Sequence, residues 1–274
     1  MTEWRFDHYS GTGNTFLITY DPSNLFPGAD KEYIALLCQQ EDLVVDGLLI
    51  ATPSCTANIR MLYYNRDGSR AKMCGNGLRC LAHYTYMHLF PNRSYLTIET
   101  DCGIRRAYIE NELVEVEMGP IEEPTPWTIS IEKISVSGFF LDTGVPHAII
   151  PVENLKTIDL PFLGKEIRFH PFFQPDGTNV TFITSGTTTD LAIRTYERGV
   201  EAETEACGTG AVAAAKTIWH TKAESTELTI QCQSQEILTI RKELVEGKNW
   251  YFLRGNVHCC GIFDETIYPR MPSR

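Results

Sequence analysis

Two stretches of this chain set a cysteine just before the opening of an apolar segment. They are Met73-Cys74-Gly75-Asn76-Gly77 and Ala206-Cys207-Gly208-Thr209-Gly210, and each reads Cys-Gly-X-Gly. A free thiol titrates near ~8.5, and the partial positive charge of a helix N-terminus favours its thiolate. The first amides of a helix have no partner inside it and suit a bound anion. One such cysteine points to a nucleophile or a redox thiol. Two suit a different reaction, in which a thiolate removes a proton from one side of a carbon, a thiol delivers one to the other side, and a stereocentre is inverted. The amides of Gly75 and Asn76, and of Gly208 and Thr209, would grip a substrate carboxylate and the charge that develops on deprotonation. A redox pair and two structural cysteines capping core helices are alternatives. The redox reading calls for a resolving partner close in sequence, which neither cysteine has.

Composition narrows the setting. The chain has 274 residues, 43% of them hydrophobic, which is long enough for one large domain or two small ones. A net charge of -11 disfavours nucleic acid and anionic membrane surfaces. The N-terminal residues lack the basic and apolar regions of a signal peptide, and no apolar run approaches the roughly 20 residues that span a bilayer. A cytoplasmic protein is expected. Nine cysteines cannot all pair, none is spaced C-x-x-C, and the adjacent Cys259 and Cys260 make poor zinc ligands. No metal site is expected. Cys38, Cys55, Cys80, Cys102, Cys232, Cys259 and Cys260 read as reduced, mostly buried structural cysteines.

The elements that must position the two thiols are legible in outline. Residues 4–20 read as two strands around Gly11-Thr12-Gly13-Asn14, and Asp30 caps a helix through about residue 40. Strands are expected at 44–51, interrupted by Asp46-Gly47, and at 58–64, ending in the turn Asn65-Arg66-Asp67-Gly68. Residues 78–90 form a helix apolar nearly all round, hence buried. Strands follow at 95–99, 104–109 and 113–118, the last with Glu115 and Glu117 on a wet face. The stretch 119–126 reads as a linker.

The second half repeats this grammar. Thr143-Gly144 echoes Thr12-Gly13 (143 − 12 = 131), Tyr196-Glu197-Arg198 echoes Tyr64-Asn65-Arg66 (196 − 64 = 132), Cys207 echoes Cys74 (207 − 74 = 133), and Leu228-Thr229-Ile230 repeats Leu96-Thr97-Ile98 (228 − 96 = 132). Four short matches in one order at nearly one offset argue for tandem duplication. The expected domains are 1–119, with 264–274 returning to it, and 120–263, with a buried helix over about 210–220 as counterpart of the first. Duplicated halves usually pack about a pseudo-twofold axis, which would bring the two cysteine elements to a shared interface.

The blocks Met73-Cys74-Gly75-Asn76-Gly77-Leu78-Arg79-Cys80 and Tyr196-Glu197-Arg198-Gly199 with Glu203-Thr204-Glu205-Ala206-Cys207-Gly208-Thr209-Gly210 resemble the two active-site signatures of the diaminopimelate epimerase family. Gly11-Thr12-Gly13-Asn14, Asn65-Arg66-Asp67-Gly68-Ser69, Gly144-Val145-Pro146-His147 and Thr178-Asn179-Val180 resemble further blocks of it, in order over most of the chain. The resemblance implies a mixed α/β (α+β) fold of two pseudo-symmetric domains, each a mostly antiparallel sheet wrapped around a central buried helix. It implies a cofactor-independent epimerase interconverting LL- and meso-diaminopimelate, in lysine and peptidoglycan precursor synthesis. Cys74 and Cys207 become the acid/base pair, and His147 and Glu197 groups that position or deprotonate the thiols. Alone, His147 reads as a turn histidine and Glu197 as an exposed strand-end carboxylate. Gly75, Asn76, Gly208 and Thr209 would hold the reacting carboxylate. Asn14, Asn65, Asn179, Glu197 and Arg198 would bind the substrate, Arg198 through its forked guanidinium. The expected partner is a small amino acid, with no nucleic acid, no membrane and no cofactor; a homodimer is left open.

Three positions depart from the family's pattern. Gly47 stands where glutamine is common, Val145 where asparagine is common, and the loop from Arg198 to Cys207 has one residue more. Loss of a polar contact at Val145 is worth ~1.5–3 kcal/mol if the group contacted is charged. With less bulk at Gly47, this leads to the expectation of a looser distal grip and added glutamate racemisation. Other two-cysteine racemases, of the proline or hydroxyproline type, and a non-catalytic amino-acid-binding protein of the same fold are the competing readings.

Overall fold

The structure, a computed structural model, describes residues 2–26, 30–40, 43–184, 191–221 and 225–267. It divides into two compact units. One runs to Val114 and resumes at Asn256; the other spans Glu115–Gly255.

In the first unit, β1 (Thr2–Gly11) and β2 (Asn14–Tyr20) pair antiparallel with Gly11 opposite Asn14. Thr12 and Gly13 both have positive φ (57° and 88°), as in the mirror-image turns that follow strand twist. Asp30 caps α1 (Lys31–Cys38) by accepting the Tyr33 amide at 2.9 Å. After a short ladder of β3 (Gln39–Gln40) and β4 (Leu43–Val44), β5 (Gly47–Thr52) lies parallel to β2. β6 (Ile59–Asn65) runs antiparallel to β5, and β7 (Arg70–Ala71) folds back on β6. α2 (Gly75–His88) follows. β8 (Tyr95–Thr100) then joins β6 in parallel, and β9 (Gly103–Glu110) pairs antiparallel with β8. The C-terminal strand His258–Ile267 adds to the free side of β1. The strand is described through residue 267, and residues 268–274 of the expected returning tail lie outside the described residues.

β1, β2, β5, β6, β8 and β9 all pack on α2, so the sheet curls around one helix. β5 is buried along its whole length. Leu49 meets the helix at Gly77, while Leu48 and Ile50 pack with Phe6, Leu17, Ile34 and Leu37 beneath α1. An element covered on both faces reads as a continuous apolar run, which is how 47–52 reads.

β10 (Leu113–Pro120) carries the chain from the first unit into the second. There β11 (Thr125–Ile131), β12 (Ile134–Asp142) and β13 (Pro146–Val152) form an antiparallel meander. α3 (Leu160–Arg168), capped by Asp159, leads to β14 (Asn179–Thr184), parallel to β13. β15 (Leu191–Glu197) and β16 (Ala202–Thr204) make a hairpin before α4 (Gly208–Thr221). β17 (Glu227–Gln231), β18 (Ile237–Val245) and β19 (Lys248–Asn256) complete the sheet. β12, β13, β14, β15, β17 and β18 pack on α4, and α3 covers the opposite face through Leu160, Ile167, Phe182 and Tyr196.

The element order of the first unit, from β1 to β9, thus recurs from β12 to β18, with α1 answered by α3 and α2 by α4. The fold is mixed α/β with two repeated halves. α3 has no clear signal in the sequence. Its core contacts Leu160, Gly164 and Ile167 are spaced for one helical face, but the interior glycine obscures it. That glycine is needed because a Cβ there would lie 2.6 Å from Tyr196 Cβ.

Three expectations are corrected. Glu117 is buried rather than on a wet face, and Glu115 is held by Arg241 at 2.8 Å. The expected linker is short: Thr125 and Pro126 already belong to β11, and Glu123 is tied to Lys216 and, at 3.1 Å, to His220. Cys55, Cys259 and Cys260 are exposed, because the first lies in a loop and the other two sit at a bulge of the C-terminal strand opposite Tyr9.

Candidate active site

Both cysteines stand at the cap of the central helix of their unit. Cys74 has extended backbone (φ -147°, ψ 117°), and its carbonyl accepts the Leu78 amide at 2.8 Å. Its Sγ accepts the Gly77 amide at 3.4 Å, as a capping side chain does. The carbonyl of Cys207 likewise accepts the Ala211 amide at 2.9 Å. The final glycine of each Cys-Gly-X-Gly motif has a steric reason in the second copy. A Cβ at Gly210 would lie 3.2 Å from Cys207 Sγ and 3.0 Å from Thr181 Oγ1. In both copies the amides of the two residues after the cysteine face outward from the helix end, where an anion is stabilised. Cys74 is half-buried and Cys207 buried.

Around Cys74, Asn76 is buried and donates Nδ2–H to Asn14 Oδ1 at 2.6 Å. Asn14 in turn donates Nδ2–H to Asp46 Oδ2 at 3.3 Å. Asp46 also accepts the Thr15 amide at 3.0 Å and the Arg66 guanidinium at 2.6 Å. A carboxylate only accepts, so Asp46 dictates the orientation of both amides in series. The sequence signal for Asp46 is its position, a charged residue within an otherwise apolar run, and in sequence it reads only as an interruption. Asn65 donates to Ser69 Oγ at 3.0 Å within the turn that it opens. Beneath the site the buried Arg79 donates to Thr12 Oγ1 at 2.7 Å, which ties α2 to the first hairpin.

Around Cys207 the partners differ. Thr209 Oγ1 lies 3.5 Å from Cys207 Sγ and 3.0 Å from His147 Nε2. His147 is fully buried on β13, opposite Asn179 of β14. Burial, and after it the Arg198 charge, lowers its imidazole to about 3, so it is neutral near pH 7. Asn179 is fixed at both ends: Nδ2–H donates to the Pro146 carbonyl at 3.0 Å, and Oδ1 accepts the Arg198 amide at 2.9 Å. Arg198 donates to the Asp176 carbonyl at 2.9 Å, and Glu197 accepts the Thr204 hydroxyl at 3.0 Å. His147, Asn179, Glu197, Arg198, Cys207, Gly208 and Thr209 thus belong to the second unit; Asn14, Asn65, Cys74, Gly75 and Asn76 belong to the first.

The neutral His147 has a consequence for stability. Its folded value lies below the 6.5 of a free imidazole, so the unfolded chain takes up a proton that the folded chain refuses until about pH 3. Stability therefore falls as pH drops below 6.5. Between neutrality and pH 5 the loss from this residue is about 2 kcal/mol. Urea unfolding of His147→Gln should show a shallower acid loss than wild type by that amount; an equal loss in both would contradict the assignment.

The two departures in reach of the structure are now placed. The extra residue between Arg198 and Cys207 sits in the β15–β16 turn. Glu197 pairs with Ala202 across a four-residue turn, whereas Asn65 bonds Ser69 across three. Glu201 takes positive φ (56°) there, and its carboxylate binds Arg168 of α3 at 3.1 Å. Gly47, by contrast, opens no room. A Cβ there would lie 2.5 Å from the Tyr64 carbonyl oxygen and 2.8 Å from the Tyr63 ring. That removes one of the two reasons for expecting a looser grip and leaves Val145 as the other. Gly47→Gln should destabilise by about 1–3 kcal/mol through overpacking, read as a lowered denaturant midpoint; an unchanged midpoint would show that the strand adjusts freely.

Among the described residues, no group of three His, Cys, Asp or Glu side chains is arranged to hold a metal ion. No described helix is long and apolar enough to cross a membrane.

The diaminopimelate epimerase family model matches the chain twice, over residues 6–123 and 139–257. The chain belongs to the diaminopimelate epimerase family. It is 36% identical over 262 residues to the diaminopimelate epimerase of Aquifex aeolicus, covering 90% of this chain and 92% of that one. It is 34% identical over 265 residues to that of Flavobacterium psychrophilum, covering 94% and 98%. Among solved structures, a hydroxyproline epimerase from Agrobacterium vitis with bound trans-4-hydroxy-L-proline has a TM-score of 0.73 at 15% identity, covering 96% of this chain and 92% of that one. A PhzF-family phenazine biosynthesis protein of Bacillus anthracis has a TM-score of 0.74 at 17% identity, covering 97% and 100%. At those identities the two structures speak for the fold alone.

Proposed function

We propose that this member of the diaminopimelate epimerase family interconverts LL- and meso-diaminopimelate, with Cys74 and Cys207 as the two acid/base groups. The observation that carries the reading is the matched placement of both thiols at the caps of duplicated central helices. One thiolate takes the α-proton, and the opposite thiol returns a proton from the other side. The new C–H bond forms where the old one did not stand, and the two sulfurs exchange protonation states. The carbanion's charge is spread into the substrate carboxylate, which the amides of Gly75, Asn76, Gly208 and Thr209 hold. Asn14, Asn65, Asn179, Glu197 and Arg198 orient the remainder of the substrate. Glu197 supplies an acceptor for an ammonium group and Arg198 donors for a carboxylate. The chemistry calls on no cofactor. A cytoplasmic setting fits a reaction that needs two reduced thiols.

The test incubates the protein with LL-diaminopimelate in deuterated water. The expected result is meso product carrying deuterium at the inverted carbon. Turnover of proline or hydroxyproline with no turnover of diaminopimelate would replace this reading by the related racemases.

A further inference from the structure

The duplication gives each half an arginine at the same place in its turn, and the two are held differently. Arg66 directly follows β6 and Arg198 directly follows β15, at the offset of the repeat (198 − 66 = 132). Arg66 is neutralised by the Asp46 carboxylate at 2.6 Å. Arg198 forms no ion pair among the described residues. Its Nη1 donates to the Asp176 carbonyl at 2.9 Å, and its backbone amide to Asn179 Oδ1 at 2.9 Å. A carbonyl takes a hydrogen bond without cancelling the charge, so the guanidinium keeps both charge and donors for an anion.

An acid able to cancel that charge stands three residues on. Glu201 turns back toward Arg198: its N–H donates to the Glu197 carbonyl at 2.8 Å, and its Oε1 accepts the Gly199 amide at 3.0 Å. The carboxylate is engaged by another cation. Arg168, the last residue of α3, donates to that same oxygen from Nε at 3.2 Å and from Nη2 at 3.1 Å. Arg168 has little freedom to leave. Its side chain is 13% exposed, its guanidinium lies 4.7 Å from the centre of the Phe169 ring, and a Cβ at Gly177 would run into its Nη1. The first half carries the same device in weaker form, since Lys31 of α1 lies 3.6 Å from Asp67 in the turn that contains Arg66.

Resting on the reading that Arg198 binds the substrate's distal carboxylate, we infer that Arg168 is a positioning residue that holds Glu201 away from Arg198 and so keeps the distal site open. Without Arg168 the Glu201 carboxylate loses its cation, and Arg198 is the cation of its own turn. The two would pair, and the substrate would have to displace an internal carboxylate to reach the fork. The other acids beside Arg198 do not compete in this way. Glu197 accepts the Thr204 hydroxyl, and Asp176 meets the guanidinium with its carbonyl. The extra residue of the β15–β16 turn thus comes with a restraint supplied by the helix across from it.

Kinetics and NMR together separate this inference from the epimerase reading. Absence of turnover of LL-diaminopimelate by wild type would end that reading and leave the NMR to decide the inference. Arg168→Met should raise KM about fivefold at nearly unchanged kcat, the effect of a partly exposed ion pair competing for the guanidinium. Adding Glu201→Gln to Arg168→Met should restore KM, because glutamine brings no charge to compete; a purely structural role for Arg168 gives no such rescue. In proton–nitrogen NMR without substrate, the Arg198 Nε–H signal, assigned by its loss in Arg198→Met, should move in Arg168→Met and return in the double variant. The inference falls if KM in Arg168→Met equals that of wild type, if the double variant stays as impaired as the single one, or if the Arg198 signal does not move. Should Arg168→Met not fold, Arg168→Gln, uncharged yet still a donor to Glu201, must change KM and the signal in the same directions, and no change in either would overturn the inference.

Discussion

Cys74→Ala and Cys207→Ala should each lower kcat for epimerisation by about a thousandfold or more, with little change in KM. A positioned general acid or base contributes roughly 10²–10⁴-fold, and inversion needs one on each side of the carbon. Losing either group therefore removes inversion, and losing both should cost scarcely more than losing one, because the two act as a unit. The folds should survive. Each cysteine lies at a helix cap, and alanine gives up sulfur contacts that are individually weak, such as those to the Gly77 amide and the Thr209 hydroxyl. Circular dichroism and thermal melts check that. Wild-type turnover in either single variant would remove the two-thiol mechanism.

Asp46→Leu should lower kcat/KM by about ten- to a hundredfold, although no motif of the sequence marks that residue as part of the site. A hydrogen bond to a charged group is worth about 1.5–3 kcal/mol, and Asp46 makes one to Asn14 that sets the direction of the next. With leucine there, Asn14 can turn its carbonyl outward and Asn76 loses its acceptor. Arg66 also loses its carboxylate, so Arg66→Met serves as control. If Arg66→Met costs as much as Asp46→Leu, the ion pair matters and the amide chain does not. If Asp46→Leu has normal kinetics, the orientation of Asn14 and Asn76 is set by something else.

Much of the architecture could be read from residue order because its causes are local or repetitive. Helix α2 shows itself by having almost no polar face, and the buried helix of the second half by repeating its Cys-Gly-X-Gly opening. The first hairpin is announced by Gly11-Thr12-Gly13-Asn14, and two of its residues do take left-handed backbone. What escaped had long-range causes. Glu117 looks like an outward-facing strand residue by alternation, yet it is buried. Gly47 looks like missing bulk, yet the space beside it belongs to Tyr63 and Tyr64 of the neighbouring strand β6. α3 hides a helix behind a glycine whose purpose is a tyrosine far along the chain.

By itself, the sequence determined the duplication, the two helix-capping thiols and the family, since spacing, periodicity and motif order are properties of the chain alone. Tertiary structure decided what distinguishes the two halves. Asp46 reaches Asn76 through Asn14, and His147 reaches Cys207 through Thr209, because parallel strand pairs bring β2 beside β5 and β13 beside β14 next to a central helix. Hydrogen-bond direction along such chains depends on which groups meet in space, and no pattern of neighbours in sequence encodes it.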